Sequence, residues 1–446
     1  MKLVVQTGDP IRGTAGLYAE GGFRLPGDKS LSHRAALFAA LAQGESQVEN
    51  FLDSGVTQVL LTCLRQLGVQ WQLYDRTLIV QGGGLDSFSA NSEPLFCGNS
   101  ATTMRLLTGA LAASGVAATL DGSAGLRTRP MDRIVMPLIA MGVPIQASDQ
   151  RKAPLQLSFR DRSKPLQARE FFLSQASAQV KTCLLLAALS ADGTSVINEP
   201  ASSRDHTERM LRSMGVEVYQ PNPLSVVIKP PSQPLKPLRI KLPADFSAAA
   251  FLIVAALITP GSDVWLTDVG INSGRTGLVE VIQDMGGKLE LFYKDNQAGE
   301  DIADIHVQFS ALRGVKVQGD LVVRMIDEFP IFAVAAAVAD GQTVVKDASE
   351  LRFKESDRIK AIVQQLSHIG ISVIETEDGF IINGGQPING GQVDCDGDHR
   401  LAMAMAVAGI NSNSQVQING AEMINESFPH FVDLFNSLGA NMAWQL

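Results

Sequence analysis

What most constrains this chain is a pattern that recurs six times along its 446 residues. Each copy runs through an apolar helix, a glycine, a strand, a short loop, a second helix closing on Leu, Met or Ile and then Gly, and a further strand. The apolar runs are AALFAALAQG from Ala35, RLLTGALAASG from Arg105, TCLLLAALSADG from Thr182, AAAFLIVAALITPG from Ala248, IFAVAAAVADG from Ile331 and LAMAMAVAG from Leu401. The closing glycines, Gly68, Gly142, Gly215, Gly286, Gly370 and Gly439, recur roughly every seventy to eighty residues, the length of one supersecondary unit. Glycine suits the position just past a last helical turn because no Cβ opposes a left-handed backbone there. Generic α/β alternation would also supply glycines, but not one period held over the whole chain. The first helix of each copy is apolar nearly all round and belongs inside; second helices such as SRDHTERMLRSMG are amphipathic and belong outside. Buried helices ringed by sheets are the expected result.

A chain of this length exceeds what one hydrophobic core supports, so two α/β lobes are expected. With 45% hydrophobic and 19% charged residues, little is left for disordered tails. The formal charge of -9 excludes general affinity for nucleic acid or an anionic membrane, which need basic surfaces, so cations for a substrate must be gathered locally. Cys63, Cys97, Cys183 and Cys395 are widely spaced in mostly apolar contexts and read as reduced, buried thiols. No metal-ligand spacing links the histidines. MKLVVQTGDPIRG lacks the core of a signal peptide and no apolar stretch would span a bilayer, so the cytoplasm is the expected location.

Polar residues stand at the start of every buried helix: Lys29-Ser30, Gly98-Asn99-Ser100, Ser177-Ala178-Gln179, Asp245-Phe246-Ser247, Asp327-Glu328 and Asp398-His399-Arg400. Helix N-termini offer unsatisfied N–H groups and the positive end of the dipole, so several aimed at one gap form an anion-binding region. Capping alone accounts for Ser and Asp, but not for the added Lys, Gln and Arg. LPGDKSLSHR places Arg34 one turn beyond Ser30. It is not a Walker A loop, since GxxxxGK[ST] is absent. LRTRPMDR adds Arg129, and ELRFKESDRIKAI gathers Lys354, Glu355, Asp357 and Arg358. Arginine suits carboxylate and phosphate through its planar fork. Asp327 and Glu355 beside this Lys/Arg set offer a base, a proton donor and several cations together, a combination that needs no redox cofactor.

In this order PGDKSLSHR, GNSATTMRLL, RPMDR, SAQVK, SRDHTERML, IDEFP, KESDR and GDHRLAMA resemble the 3-phosphoshikimate 1-carboxyvinyltransferase family over the whole chain. The resemblance implies a two-lobed inside-out α/β barrel, each lobe three repeats of a βαβαββ-type unit, with lobes 1–24 plus 241–446 and 25–240. It implies that phosphoshikimate is held by Lys29, Ser30, Arg34, Ser177, Ala178, Gln179, Arg204, Asp327 and Lys354. Phosphoenolpyruvate would be held by Lys29, the backbone at Ala101, Arg129, Gln179, Arg358 and Arg400. Asp327 would take the hydroxyl proton, Glu355 would move protons at the methylene, and Lys29 would assist. His399 is expected to position rather than ligate.

Two departures stand out. Glu426 occupies a place where some relatives carry Lys, and Ala101 one where glyphosate-sensitive relatives carry Gly; the added methyl is expected to crowd that inhibitor. The expected partners are two small substrates, with no cofactor or metal, and the chain is expected to be a monomer. Opposed lobes suggest hinge closure, with Leu25-Pro26 and Leu238 to Ile240 as hinges. Two rivals are a UDP-N-acetylglucosamine 1-carboxyvinyltransferase, whose usual loop cysteine has no counterpart here, and a repeat scaffold that binds anions without catalysis.

Overall fold

The computed structural model describes all residues except 18–23, 91, 149, 295, 297–298 and 446; the first of these gaps falls in the expected 1–24 span. The chain divides into two compact units, one of residues 1–27, 243–296 and 301–446, the other of 28–242 and 297–300. The described residues form six four-stranded sheets, three in each unit.

All six sheets follow one rule. An edge strand lies parallel to a second strand across an inner helix, and an antiparallel pair completes the sheet after an outer helix. In chain order this is βαβαββ, shown most simply by Leu95–Phe96, Ala118–Asp121, Ile145–Ala147 and Leu155–Leu157. Three sheets borrow a strand from a distant part of the chain. Arg12–Gly16 is the parallel edge for Asp263–Gly270, Arg239–Lys241 serves Gln43–Glu49, and Lys2–Gln6 lies between Val416–Asn419 and Asn441–Gln445. Each borrowed strand pairs within its own unit, and the chain passes from one unit to the other after residue 27 and returns after residue 242.

The inner helices are Lys29–Leu41, Ala101–Ser114 and Ala178–Ala188 in one unit, and Phe246–Ile258, Phe329–Val338 and His399–Ile410 in the other. Every residue of Phe246–Ile258 is buried, as an all-round apolar helix requires, and each large side chain so placed contributes about 1.5–3 kcal/mol. Within each unit the inner helices pack on one another. At Gly109 a Cβ would lie 2.4 Å from the Cys183 carbonyl oxygen, so only glycine lets the helices from Ala101 and Ala178 approach this closely.

All six closing glycines adopt positive φ, from 85° at Gly286 to 120° at Gly439. The helix starts differ from the apolar runs by two to six residues: Lys29 rather than Ala35, Ala101 rather than Arg105, Ala178 rather than Thr182, Phe246 rather than Ala248, Phe329 rather than Ile331, His399 rather than Leu401. First-turn N–H groups have no partner within the helix, so polar residues are favoured there and an apolar pattern starts late. The outer helix His206–Ser213 differs too: His206, Thr207 and Glu208 are buried as well as its apolar face. None of the helices described is long and apolar enough to cross a membrane.

Candidate functional site

Five of the six inner helices are capped by a side chain at the residue before them. Asp28 accepts from Leu31, Ser100 from Thr103, Ser177 from Val180, Asp245 from Ser247 and Asp398 from Arg400. The Phe329 helix opens instead through Pro330, whose missing N–H costs nothing in a first turn. The polar residues that precede the apolar runs thus lie in first turns or just before them, with Arg34 one turn further in.

In the unit of residues 28–242, three inner helix starts are tied together by side chains. Arg34, buried, donates from Nε to Thr207 at 2.8 Å and from Nη2 to Thr182 at 3.0 Å, and its Nη1 reaches the Ser30 carbonyl at 3.0 Å. Burial lowers its pKa to about 10, with nearby Arg204 adding to the drop and Glu208 opposing it. Gln179 donates to Thr102 at 2.9 Å and accepts from Arg105 at 2.8 Å, while Arg105 also reaches the Pro130 carbonyl. Arg129 is buried and donates to Asn99 at 3.3 Å. Lys29, Ser30, Ser177, Ala178, Gln179 and Arg204 are partly exposed around these bonds, and Ala101 is buried at the first position of its helix. Half-exposed helix starts beside buried arginines can bind a phosphorylated anion.

In the other unit the same positions are joined by ion pairs. Arg358, 1% exposed, donates from Nε to Asp398 at 2.7 Å and from Nη2 to Glu355 at 2.6 Å. Burial would lower its pKa, but Asp398, Glu355 and Asp327 outweigh this and raise it. Asp327 lies 3.7 Å from Arg358 and 3.8 Å from Arg400, and its carbonyl accepts from Arg400 at 3.2 Å. Its side chain keeps 19% exposure, so this carboxylate is within reach of a small molecule. Lys354 is half-buried; burial and the Arg358 charge lower its pKa against the pull of Asp327. Ser247 donates to Glu328, and Arg275 bonds both Asp245 and Ser247. His399 is buried at a helix start and Glu426 is half-buried.

Each unit therefore brings its own predicted residues together. Three supports were missed. Asp398 was read as a helix-start residue, not as the buried partner of Arg358. Arg275 had no visible signal in INSGRTG. Lys181, ion-paired to Glu199 and Glu208, was legible in principle as a lone cation within an otherwise apolar helix. All four cysteines are free and buried. Among the described residues no group of His, Cys, Asp or Glu is arranged to hold a metal ion.

Six βαβαββ units with charged helix starts define an enolpyruvyl-transferase type of fold, and comparison with known proteins agrees. An enolpyruvyl transferase from Streptomyces tendae, NikO, matches in structure with a TM-score of 0.79 at 18% identity, covering 99% of this chain and 98% of that one. A family model for EPSP synthase (3-phosphoshikimate 1-carboxyvinyltransferase) matches residues 14–435. The 3-phosphoshikimate 1-carboxyvinyltransferases of Syntrophomonas wolfei and Geobacter metallireducens are 42% and 43% identical, each covering 94% of this chain and 97% of the relative. The EPSP synthase structure from Acinetobacter baumannii aligns at 38% identity with a TM-score of 0.85, over 99% of this chain and 100% of that one. The chain belongs to the EPSP synthase family.

Proposed function

We propose that the chain transfers the enolpyruvyl group of phosphoenolpyruvate to the 5-hydroxyl of 3-phosphoshikimate with release of phosphate, a step toward aromatic amino acids. The observation that carries this reading is Asp327, a partly exposed carboxylate flanked by Arg358 and Arg400 with Glu355 on the same arginine. A base beside cations can take a hydroxyl proton while the cations hold an anionic donor.

In this reading Lys29, Ser30, Arg34, Ser177, Ala178, Gln179 and Arg204 hold the phosphorylated acceptor, with Asp327 and Lys354 at its reacting hydroxyl. Phosphoenolpyruvate takes Lys29, Ala101, Arg129, Gln179, Arg358 and Arg400. Asp327 accepts the hydroxyl proton as the new C–O bond forms, and Glu355 delivers a proton to the methylene carbon. Loss of phosphate and of a methyl proton then restores the vinyl group. The reading includes action as a monomer in the cytoplasm without cofactor or metal. Residues 1–24 plus 241–446 would form the phosphoenolpyruvate lobe and 25–240 the phosphoshikimate lobe, closing through hinges at Leu25-Pro26 and Leu238 to Ile240.

Free phosphate, followed with phosphoenolpyruvate and either 3-phosphoshikimate or UDP-N-acetylglucosamine, tests it. Release with the first acceptor alone is expected. Release with the second would make the chain the sister enzyme, and binding of both substrates without release would leave a non-catalytic binder.

A further inference from the structure

Beneath the start of the Ala178–Ala188 helix lies a buried cluster that none of the roles above uses. The Glu199 carboxylate accepts from the Ser177 backbone N–H at 3.1 Å and from the Ser203 hydroxyl at 2.7 and 2.9 Å. Its other partner is Lys181, 2.8 Å away and one turn along the helix from Ser177. Lys181 also forms an ion pair with Glu208 at 2.9 Å and donates to the Ser203 carbonyl at 3.3 Å. The side chains of Lys181, Glu199 and Glu208 are 1%, 3% and 0% exposed. Burial alone would lower the Lys181 pKa; Glu208 and Glu199 outweigh it and keep the cation charged.

The cluster joins two stretches that are distant in sequence. Ser177 caps the helix whose first turn is Ala178-Gln179, and Ser203 precedes Arg204. A carboxylate that bonds both, and is itself pinned by a buried cation, fixes the spacing between that helix start and Arg204. Glu208 lies on the outer helix beside Thr207, the Arg34 partner, so the third cation of the set is anchored to the same frame.

We infer that Glu199, held by Lys181, is a positioning residue that sets residues 177–179 and Arg204 at the spacing a phosphorylated acceptor requires. It touches no substrate. The inference rests on the reading of those residues as acceptor ligands.

The test uses the full chain, wild type and as Glu199→Gln, Glu199→Asp and Ser203→Ala, with thermal melts to establish folding. Calorimetry measures 3-phosphoshikimate binding, and steady-state kinetics supply KM and kcat for both substrates. Glu199→Gln keeps an acceptor oxygen but turns an amide toward Lys181, and about tenfold weaker acceptor binding is expected. Its KM for 3-phosphoshikimate should rise several-fold more than that for phosphoenolpyruvate, which shares only Gln179 with this frame, and kcat should stay nearly unchanged. Ser203→Ala, which leaves the ion pair whole, should show a smaller loss of the same kind. Glu199→Asp, which restores the charge, should recover part of the affinity. Folded variants with wild-type acceptor affinity overturn the inference, as does a loss shared equally by both substrates. If Glu199→Gln does not fold, Ser203→Ala decides in the same way. Wild-type protein that binds no 3-phosphoshikimate would instead overturn the functional reading.

Discussion

Between residues 28 and 242 the three inner helix starts are joined mainly by hydroxyls and an amide around Arg34 and Arg105. In the other unit the same positions are joined by carboxylates facing arginines, with Asp398 on Arg358, Asp327 beside Arg358 and Arg400, and Glu328 on Ser247. One architecture thus carries two chemistries. A frame of hydroxyls and an amide suits the holding of a passive anion, whereas alternating charges around a partly exposed carboxylate suit proton exchange. Repetition of the fold supplies the helix ends, and the side chains in the first turn decide what each end does.

The largest expected effect lies at Asp327. Asp327→Asn keeps the shape but removes the base, and kcat should fall by about 10²–10⁴-fold with acceptor affinity, read by calorimetry, nearly kept. An affinity loss with kcat intact would make Asp327 a ligand and not a base, and would erase the contrast between the units.

The second effect concerns acid. Burial first, then the Lys29 and Arg34 charges, lower the His33 pKa from 6.5 to about 4. The folded state prefers neutral His33, so its contribution is complete above pH 6.5 and is lost as pH falls toward 4, worth about 3 kcal/mol. Asp398 behaves differently: burial would raise its pKa, but Arg358 outweighs this and lowers it, so its contribution is lost only in more acidic solution, below the ordinary carboxylate range. Trp71 lies in the first unit, Trp265 and Trp444 in the other, and single-tryptophan variants report each one. Urea melts from pH 7 to 4 should show the Trp71 unit weakening first, and His33→Gln should flatten that limb. Equal weakening of both units would remove the distinction.

The smallest effect sharpens the chemistry of one helix start. Ala101 places a methyl group at a buried first position. Ala101→Gly should tighten inhibition by glyphosate about tenfold with the phosphoenolpyruvate KM little changed. Equal inhibition of both proteins would show that this methyl does not set the size of the pocket.

The fold was largely legible because helix period and closing glycine are local properties. Gly68, Gly142, Gly215, Gly286, Gly370 and Gly439 mark turns whatever surrounds them. The borrowed strands Lys2–Gln6, Arg12–Gly16 and Arg239–Lys241 cannot be placed in sheets by pattern alone, since pairing over such separations has no local sign. At the site, Lys29, Asp327 and Arg358 stood out by clustering and by family resemblance. Glu199 and Glu208 did not, because a carboxylate on an amphipathic helix or loop looks solvated until its buried partner is known.

The strand Lys2–Gln6 sits in the middle of its sheet, with Lys2 opposite both Asn419 and Gln445. During synthesis this first strand must wait, unpaired on both edges, until the last two strands leave the ribosome. The stretch 28–242 has most of its own partners in sequence by then. One half of the molecule can therefore settle early, while the other is sealed only when residues 2–6 meet residues 416–445, a pairing of very long sequence separation that comes late.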